Sequence, residues 1–207
     1  ESAVDEVSKW LEEMIKAAGG AAKGGTGGNN EKIGDSDNNK GAVADKDSVK
    51  GIAKGIKGIV DAAGKAFGKD GNALKDVAKV ADDAAGANAN AGKLFAGNAA
   101  GGAADADDAN IAKAAGAVSA VSGEQILKAI VDAAGAAANQ DGKKAADAKN
   151  PIAAAIGTND DGAEFKDGMK KSDNIAAAIV LRGVAKGGKF AVANAANDSK
   201  ASVKSAV

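Results

Sequence analysis

The chain has no His, no Cys and no Tyr, and it holds one Trp (Trp10), one Arg (Arg182) and one Pro (Pro151). These side chains supply most nucleophiles, general bases, metal ligands and binding anchors, so their scarcity argues against an enzyme. Without Cys there is no disulfide and no thiolate metal site. No apolar run approaches the roughly 20 residues that a bilayer-spanning helix needs. No secretory signal is visible either. The first sixteen residues read as an acidic amphipathic helix, so an export signal, if used, would lie outside this chain.

What is present is a chain for folding and display. Larger apolar side chains are scattered, each giving roughly 1.5–3 kcal/mol when fully buried. The 29 glycines work against helix stability, at about 1 kcal/mol each in a helix interior. Charge is balanced, 27 basic against 28 acidic for a net −1. That excludes a nucleic-acid-binding balance and the high-net-charge signature of disorder.

Apolar spacing is helical wherever it is clear. Val4, Val7, Leu11, Met14 and Ile15 share one face, with Trp10 at its edge and assigned to the core. Gly19-Gly20 is expected to end this helix, and the stretch from Ala21 to Lys46 reads as a loop. Asp45 or Asp47 can cap the next helix, whose Val49, Ile52, Ile56, Ile59 and Val60 form one face. Gly51, Gly55 and Gly58 form a second stripe, which suggests close approach of a neighbouring backbone. Lys46, Lys50, Lys54 and Lys57 form a third.

Further along, Leu74, Val77 and Val80 predict a third helix, and Asp82 to Asn110 a loop with a short helix. Ala112 to Val121 reads as helix. Ser122 with Gln125 matches a capping box opening a helix through Ile126, Leu127, Ile130 and Val131. Asn150-Pro151 marks a short helix that stops at Gly157. Ser172 or Asp173 is expected to cap a helix through Ile175, Ile179, Val180 and Val184, and the chain from Val192 onward is weakly helical. No segment alternates like a strand. The fold class is therefore all-α: a single domain of several short helices joined by long polar Gly/Ala/Asn/Asp-rich loops.

Candidate motifs mostly fail on chemistry. Gly183 to Lys189 fits G-x-x-x-x-G-K, but Phe190 stands where Ser or Thr must hold Mg²⁺, and the motif follows a helix rather than a strand. Asp35, Asp37 and Asn39 begin like an EF-hand loop, yet Lys40 replaces the turn Gly and Lys46 the bidentate Glu. The clusters Asp105, Asp107, Asp108 and Asn159-Asp160-Asp161 lack apolar flanks that would shift a pKa. No motif calls for a metal or cofactor. The Lys46, Lys50, Lys54 and Lys57 stripe could bind a polyanion such as a host glycosaminoglycan through salt-sensitive attraction, or it is simply a solvated helix face.

Two features point further. The chain opens Glu1-Ser2-Ala3-Val4 and closes Lys204-Ser205-Ala206-Val207, a short direct repeat of the kind that frames a recombinable insert. The segment Met169-Lys-Lys-Ser-Asp-Asn-Ile-Ala-Ala-Ala-Ile-Val-Leu-Arg-Gly-Val-Ala-Lys-Gly-Gly-Lys-Phe-Ala-Val resembles the sixth invariable region of the variable major protein-like (Vmp-like) surface lipoproteins of Lyme-disease Borrelia. The stretches starting at Ser48, Lys113, Gln140 and Lys149 resemble other invariable regions in the family's order.

The resemblance implies a helical, lipid-anchored outer-surface protein that interacts with host antibodies. Residues 1–207 would be its variable cassette, exchanged by gene conversion, with the constant flanks and lipid anchor outside this chain. It marks Met169, Lys170, Lys171, Ile175, Ile179, Leu181, Arg182, Gly183, Lys189 and Phe190 as a constant-region antigenic segment, much of it packed inside. The polar stretches 19–46, 64–71, 82–110, 135–147, 157–168 and 187–199 are the expected variable, antibody-facing loops. The oligomeric state is left open between a monomer and a weak dimer.

Overall fold

The computed structural model describes residues 3–25, 32–38, 40–68, 71–81, 86–97, 106–136 and 140–193. The helices are α1 (Ala3–Gly24), α2 (Lys46–Ala66), α3 (Asp108–Ser119), α4 (Gly123–Gly135), α5 (Pro151–Ile156) and α6 (Ser172–Val184). Short 3-10 turns cover Ala89–Phe95 and Asp167–Met169, and two three-residue strands are β1 (Ser36–Asn38) and β2 (Phe190–Val192). The molecule is mostly helical, as its apolar periodicity predicts. No described helix is long and apolar enough to cross a membrane.

Capping follows the sequence closely. Asp45 accepts from the Ser48 N–H at 2.7 Å, so Asp45 rather than Asp47 caps α2. Ser122 and Gln125 form a full capping box at α4. Asn150 accepts from the Ala153 N–H at 2.9 Å, with Pro151 in the first turn. Gly157, at φ +74°, turns the chain out of α5. Each such cap satisfies backbone N–H groups that have no intrahelical partner.

The glycine stripe of α2 does what its spacing suggests. α1 lies antiparallel along it. A Cβ at Gly55 would stand 2.4 Å from the Ala21 Cβ, and one at Gly58 2.8 Å from the Ala17 Cβ. This packing also explains why α1 runs through Gly19-Gly20 to Gly24 instead of stopping. Gly24 lies against α2, where a Cβ would meet the Ser48 carbonyl at 2.8 Å. Tertiary contact outweighs the poor helix propensity of glycine. The apolar stripe of α1 is not covered, however: Val4, Val7, Leu11 and Ile15 are exposed, and Trp10 is only partly buried rather than core.

α6 is the axis of the core. Ile175 through Ile179, Leu181, Arg182 and Gly183 are all buried. A helix apolar on nearly every side belongs in an interior. On one side it packs with Leu94, Phe95, Ile111, Phe165, Met169, Phe190 and Val192. On the other it packs with Val49, Ile52, Ile130, Ile152 and Ile156.

Three local readings are corrected. Leu74 to Val80 is a series of turns, not a helix: the Asn72 side chain accepts from the Leu74 N–H at 2.9 Å, a local bond that competes with helix formation. α6 has Lys171 at its N-cap with no side-chain cap, because Ser172 Oγ instead accepts from Asn88 Nδ2 at 3.3 Å and Asp173 binds the adjacent Asn174 N–H. Third, a short parallel sheet exists. Ser36, Asp37 and Asn38 pair with Phe190, Ala191 and Val192, a polar segment made strand by its buried partner rather than by propensity. The expected weak helix after Val192 falls, from residue 194 on, outside the described residues.

Candidate functional site

Among the described residues no group of His, Cys, Asp and Glu is placed to hold a metal. The acidic positions have structural tasks. Asp107 caps α3 by accepting from the Asn110 N–H at 2.8 Å, and Asp160 accepts from the Thr158 hydroxyl at 2.6 Å. Asp35 accepts from the Ser36 N–H and lies 3.5 Å from Lys189 Nζ. The segment Gly183 to Phe190 ends α6 and turns at Gly187, at φ +72°, into β2. Asp105 and Asn39 lie outside the described residues.

The lysine stripe of α2 is partly neutralised. Lys46 is ion-paired with Asp141, which raises the lysine's pKa and lowers that of the carboxyl through the hydrogen bond between them. Lys57 pairs with Asp61 one turn along the helix. Lys50 is half-buried and Lys54 exposed. Beyond the stripe, Lys65 reaches Glu13 of α1 at 2.9 Å.

A groove of about 320 Å³ lies where α4 meets the starts of α5 and α6, with Lys128, Asp132, Asn150 and Asp173 in its wall. Burial holds the Asp173 carboxyl above the ordinary range. Lys128 already pairs with Asp132.

The constant-region candidates are mostly interior. Met169, Ile175, Ile179, Leu181, Arg182, Gly183 and Phe190 are buried, whereas Lys170, Lys171 and Lys189 are half-buried. Arg182 is the centre of this arrangement. Its side chain is fully buried and donates four hydrogen bonds to backbone carbonyls: Nε to Lys189 at 3.1 Å, Nη1 to Ala155 at 3.2 Å, and Nη2 to Ala42 at 2.6 Å and Ala96 at 3.3 Å. Burial lowers its pKa to about 10, so it stays cationic at neutral pH. One guanidinium thus ties together the segments around residues 42, 96, 155 and 189. Sequence reasoning places Arg182 in an antigenic segment but misses this role. The available signal is the chain's single Arg inside an apolar helix, where only a fully hydrogen-bonded charge is tolerated.

The polar stretches divide into anchors and tips. In 157–168, Phe165 is buried while Asn159, Asp160, Asp161 and Glu164 are exposed; in 135–147, Ala145 is buried and Asp141, Lys143 and Lys144 are exposed. Two expected loops are corrected. Leu94 and Phe95 of the 82–110 stretch, and Phe190 and Val192 of the 187–199 stretch, belong to the core because their large apolar side chains pack in one cluster with Phe165 and α6, and they bury Ala91, Ala96 and Ala191 beside them.

These features define a helical scaffold with a buried apolar spine and polar, solvent-facing connections. The family described as Borrelia lipoprotein matches residues 1–207, and the chain belongs to that family. It is 37% identical over 212 residues to Variable large protein 17 of Borrelia hermsii, covering 99% of this chain and 55% of the relative. It is 38% identical over 186 residues to Variable large protein 25 of the same organism, covering 86% of this chain and 47% of the relative. The chain therefore spans about half the length of these relatives. The crystal structure of the Lyme disease variable surface antigen VlsE of Borrelia burgdorferi superposes with a TM-score of 0.83 at 53% identity, covering 98% of this chain and 66% of that one. Both the family and the helical fold implied by the sequence are thereby established.

Proposed function

We propose that this chain is the antigenically variable, host-facing part of a lipid-anchored outer-surface protein, that it evades antibodies by exchanging exposed polar tips over a constant interior, and that it carries out no catalysis. The observation that supports this most is the split in burial. The segment resembling an invariable region has Ile175, Leu181 and Phe190 at 0% exposure, while Asn159, Asp160, Asp141 and Lys144 stand at the surface. Loop tips contribute little to the core, so they tolerate replacement without loss of the fold.

The test is antibody binding to the native and the denatured chain, with one serum raised against residues 157–168 and another against Met169–Val192. The proposal expects the first serum to bind both forms and the second to bind mainly the denatured form. Equal binding of both sera to the native chain would reject a hidden constant interior. The alternative, polyanion binding through Lys46, Lys50, Lys54 and Lys57, has weaker support because Lys46 and Lys57 already hold carboxylates.

A further inference from the structure

An aspartate followed by glycine is a place where a peptide chain can rearrange its own backbone, because glycine sets no Cβ in the way of the attacking nitrogen. The chain holds four such pairs, Asp70-Gly71, Asp141-Gly142, Asp161-Gly162 and Asp167-Gly168, and no Asn-Gly. Asp70 lies outside the described residues. The structure separates the other three.

Two of them are held. The Asp141 carboxylate is ion-paired with Lys46, and the Gly142 backbone is packed so closely that a Cβ there would strike the Gly157 carbonyl. The Asp167 carboxylate is ion-paired with Lys149. Its carbonyl accepts from the Lys170 N–H at 3.1 Å, and the Gly168 carbonyl accepts from Asn174 Nδ2 at 2.6 Å. In both pairs the lysine holds the carboxyl below its ordinary range, whereas it is the neutral carboxyl that can lose water.

Asp161-Gly162 has none of these restraints. Asp161 is exposed and belongs to no helix or strand. Among the described residues neither its carboxyl nor the Gly162 N–H has a hydrogen-bond or ionic partner. The chain is fixed on either side: the Asp160 carbonyl accepts from the Gly97 N–H at 3.0 Å, and the Phe165 N–H donates to the Ala89 carbonyl at 2.9 Å. The unbonded peptide can turn its nitrogen onto the carboxyl carbon while its neighbours hold the fold.

We propose that Asp161-Gly162 is a self-modification site, at which the native chain converts Asp161 to isoaspartate through a succinimide. The Gly162 nitrogen attacks Asp161 Cγ; a C–N bond forms, a carboxyl C–O bond breaks, and water leaves carrying the amide proton. Water then opens the ring. Attack at Cγ restores aspartate. Attack at the main-chain carbonyl breaks its C–N bond and leaves the chain running through Cβ and Cγ, with a free α-carboxylate. No enzyme, oxidant or cofactor takes part, and the final mass equals the starting mass. The added main-chain carbon changes one exposed tip and leaves the buried interior as it was. The reaction does not depend on the antigenic reading above.

The experiment is ageing of the 207-residue chain for weeks at body temperature and neutral pH, natively and in guanidinium chloride, followed by tryptic mapping. The three described sites fall in separate peptides, Ala129–Lys143, Asn150–Lys166 and Asp167–Lys170. An isoaspartyl peptide keeps its mass, elutes apart from its parent and accepts a methyl group from an isoaspartyl methyltransferase. In the native chain the Asn150–Lys166 isomer should form about tenfold faster than the other two, since those sites must first open locally. In denaturant the three rates should converge. Asp161→Glu, whose longer side chain cannot close the five-membered ring, should abolish the Asn150–Lys166 isomer while circular dichroism stays unchanged. Native rates at Asp141 or Asp167 equal to that at Asp161 would overturn the proposal. So would an isomer that survives Asp161→Glu, or a native Asp161 that stays intact while the denatured chain isomerises.

Discussion

The guanidinium of Arg182 lies over the ring of Phe95, with its Cζ 5.4 Å from the ring centroid. Phe95 in turn meets Phe165 and Phe190 edge-on, at 5.2 and 5.7 Å between centroids. Phe95 therefore links the chain's single Arg to two more of its four Phe. A cation over an aromatic face is attracted by the ring quadrupole, and desolvation strengthens that attraction. Replacing Arg182 by Met would orphan four carbonyls and keep little of this contact. Arg182→Met should destabilise the fold by about 3–5 kcal/mol, and Arg182→Lys, which cannot reach all four acceptors, by about 2 kcal/mol. Urea unfolding followed by circular dichroism measures both, and a loss under about 1 kcal/mol for the Met variant would show that the carbonyls find other partners.

Two glycines on the same stripe of α2 should respond in opposite directions to the same change. Gly51 has ordinary contact space, its nearest neighbour being the Gly24 Cα at 3.8 Å. Gly51→Ala should therefore stabilise by up to about 1 kcal/mol through helix propensity alone. At Gly55 an added methyl would stand 2.7 Å from the Ala21 Cα and N, and both are backbone atoms. Gly55→Ala should destabilise by about 1–3 kcal/mol as α1 is pushed off α2. Thermal melts of the two variants side by side decide the matter; equal shifts would mean that the hairpin is loosely packed.

Ser122 heads an exposed capping box, with its Oγ 3.2 Å from the Gln125 N and its own N–H 3.0 Å from Gln125 Oε1. Ser122→Ala should cost about 1 kcal/mol, and Ser122→Asp should retain most of the stability. Denaturant midpoints at constant slope provide the comparison.

Stability should be flat from about pH 6 to 9, because the chain has no His and no Cys to titrate there. Below that window it should fall. Glu13, Asp141 and Asp167 have pKa values lowered by hydrogen bonds to Lys65, Lys46 and Lys149. A lowered folded-state pKa gives stability that is present above the unfolded value and lost as pH drops through the folded one. Asp173 acts with the opposite sign: burial raises its pKa, so its ionisation costs stability as pH climbs from the ordinary carboxylate value to the raised one. Melting temperatures across about pH 2–9 check this, and a step between about pH 6 and 8 would contradict it.

The helices and most of their caps were legible because they rest on neighbours a few residues apart. Asp45, Ser122 and Asn150 each sit three residues before the N–H they bind, and the period of Val49, Ile52 and Ile56 fixes one face of α2 from local spacing alone. The candidate sites were less legible. The lysine stripe is visible in sequence, but its neutralisation depends on Asp141, 95 residues from Lys46.

The sequence alone determined where α2, α4 and α5 begin, that the chain is helical, and that the glycine stripe seeks a close neighbour, since these follow from backbone sterics and side-chain periodicity. Tertiary structure decided the rest. It carried α1 through Gly19-Gly20, because α2 lies alongside to stabilise it. It made a strand of Ser36–Asn38, because Phe190–Val192 supplies the hydrogen bonds. It drew Leu94 and Phe95 out of an apparent loop and into the core. It also turned Arg182 into the tie among four backbone segments, because burying a charge is possible only where distant carbonyls converge to accept its hydrogen bonds.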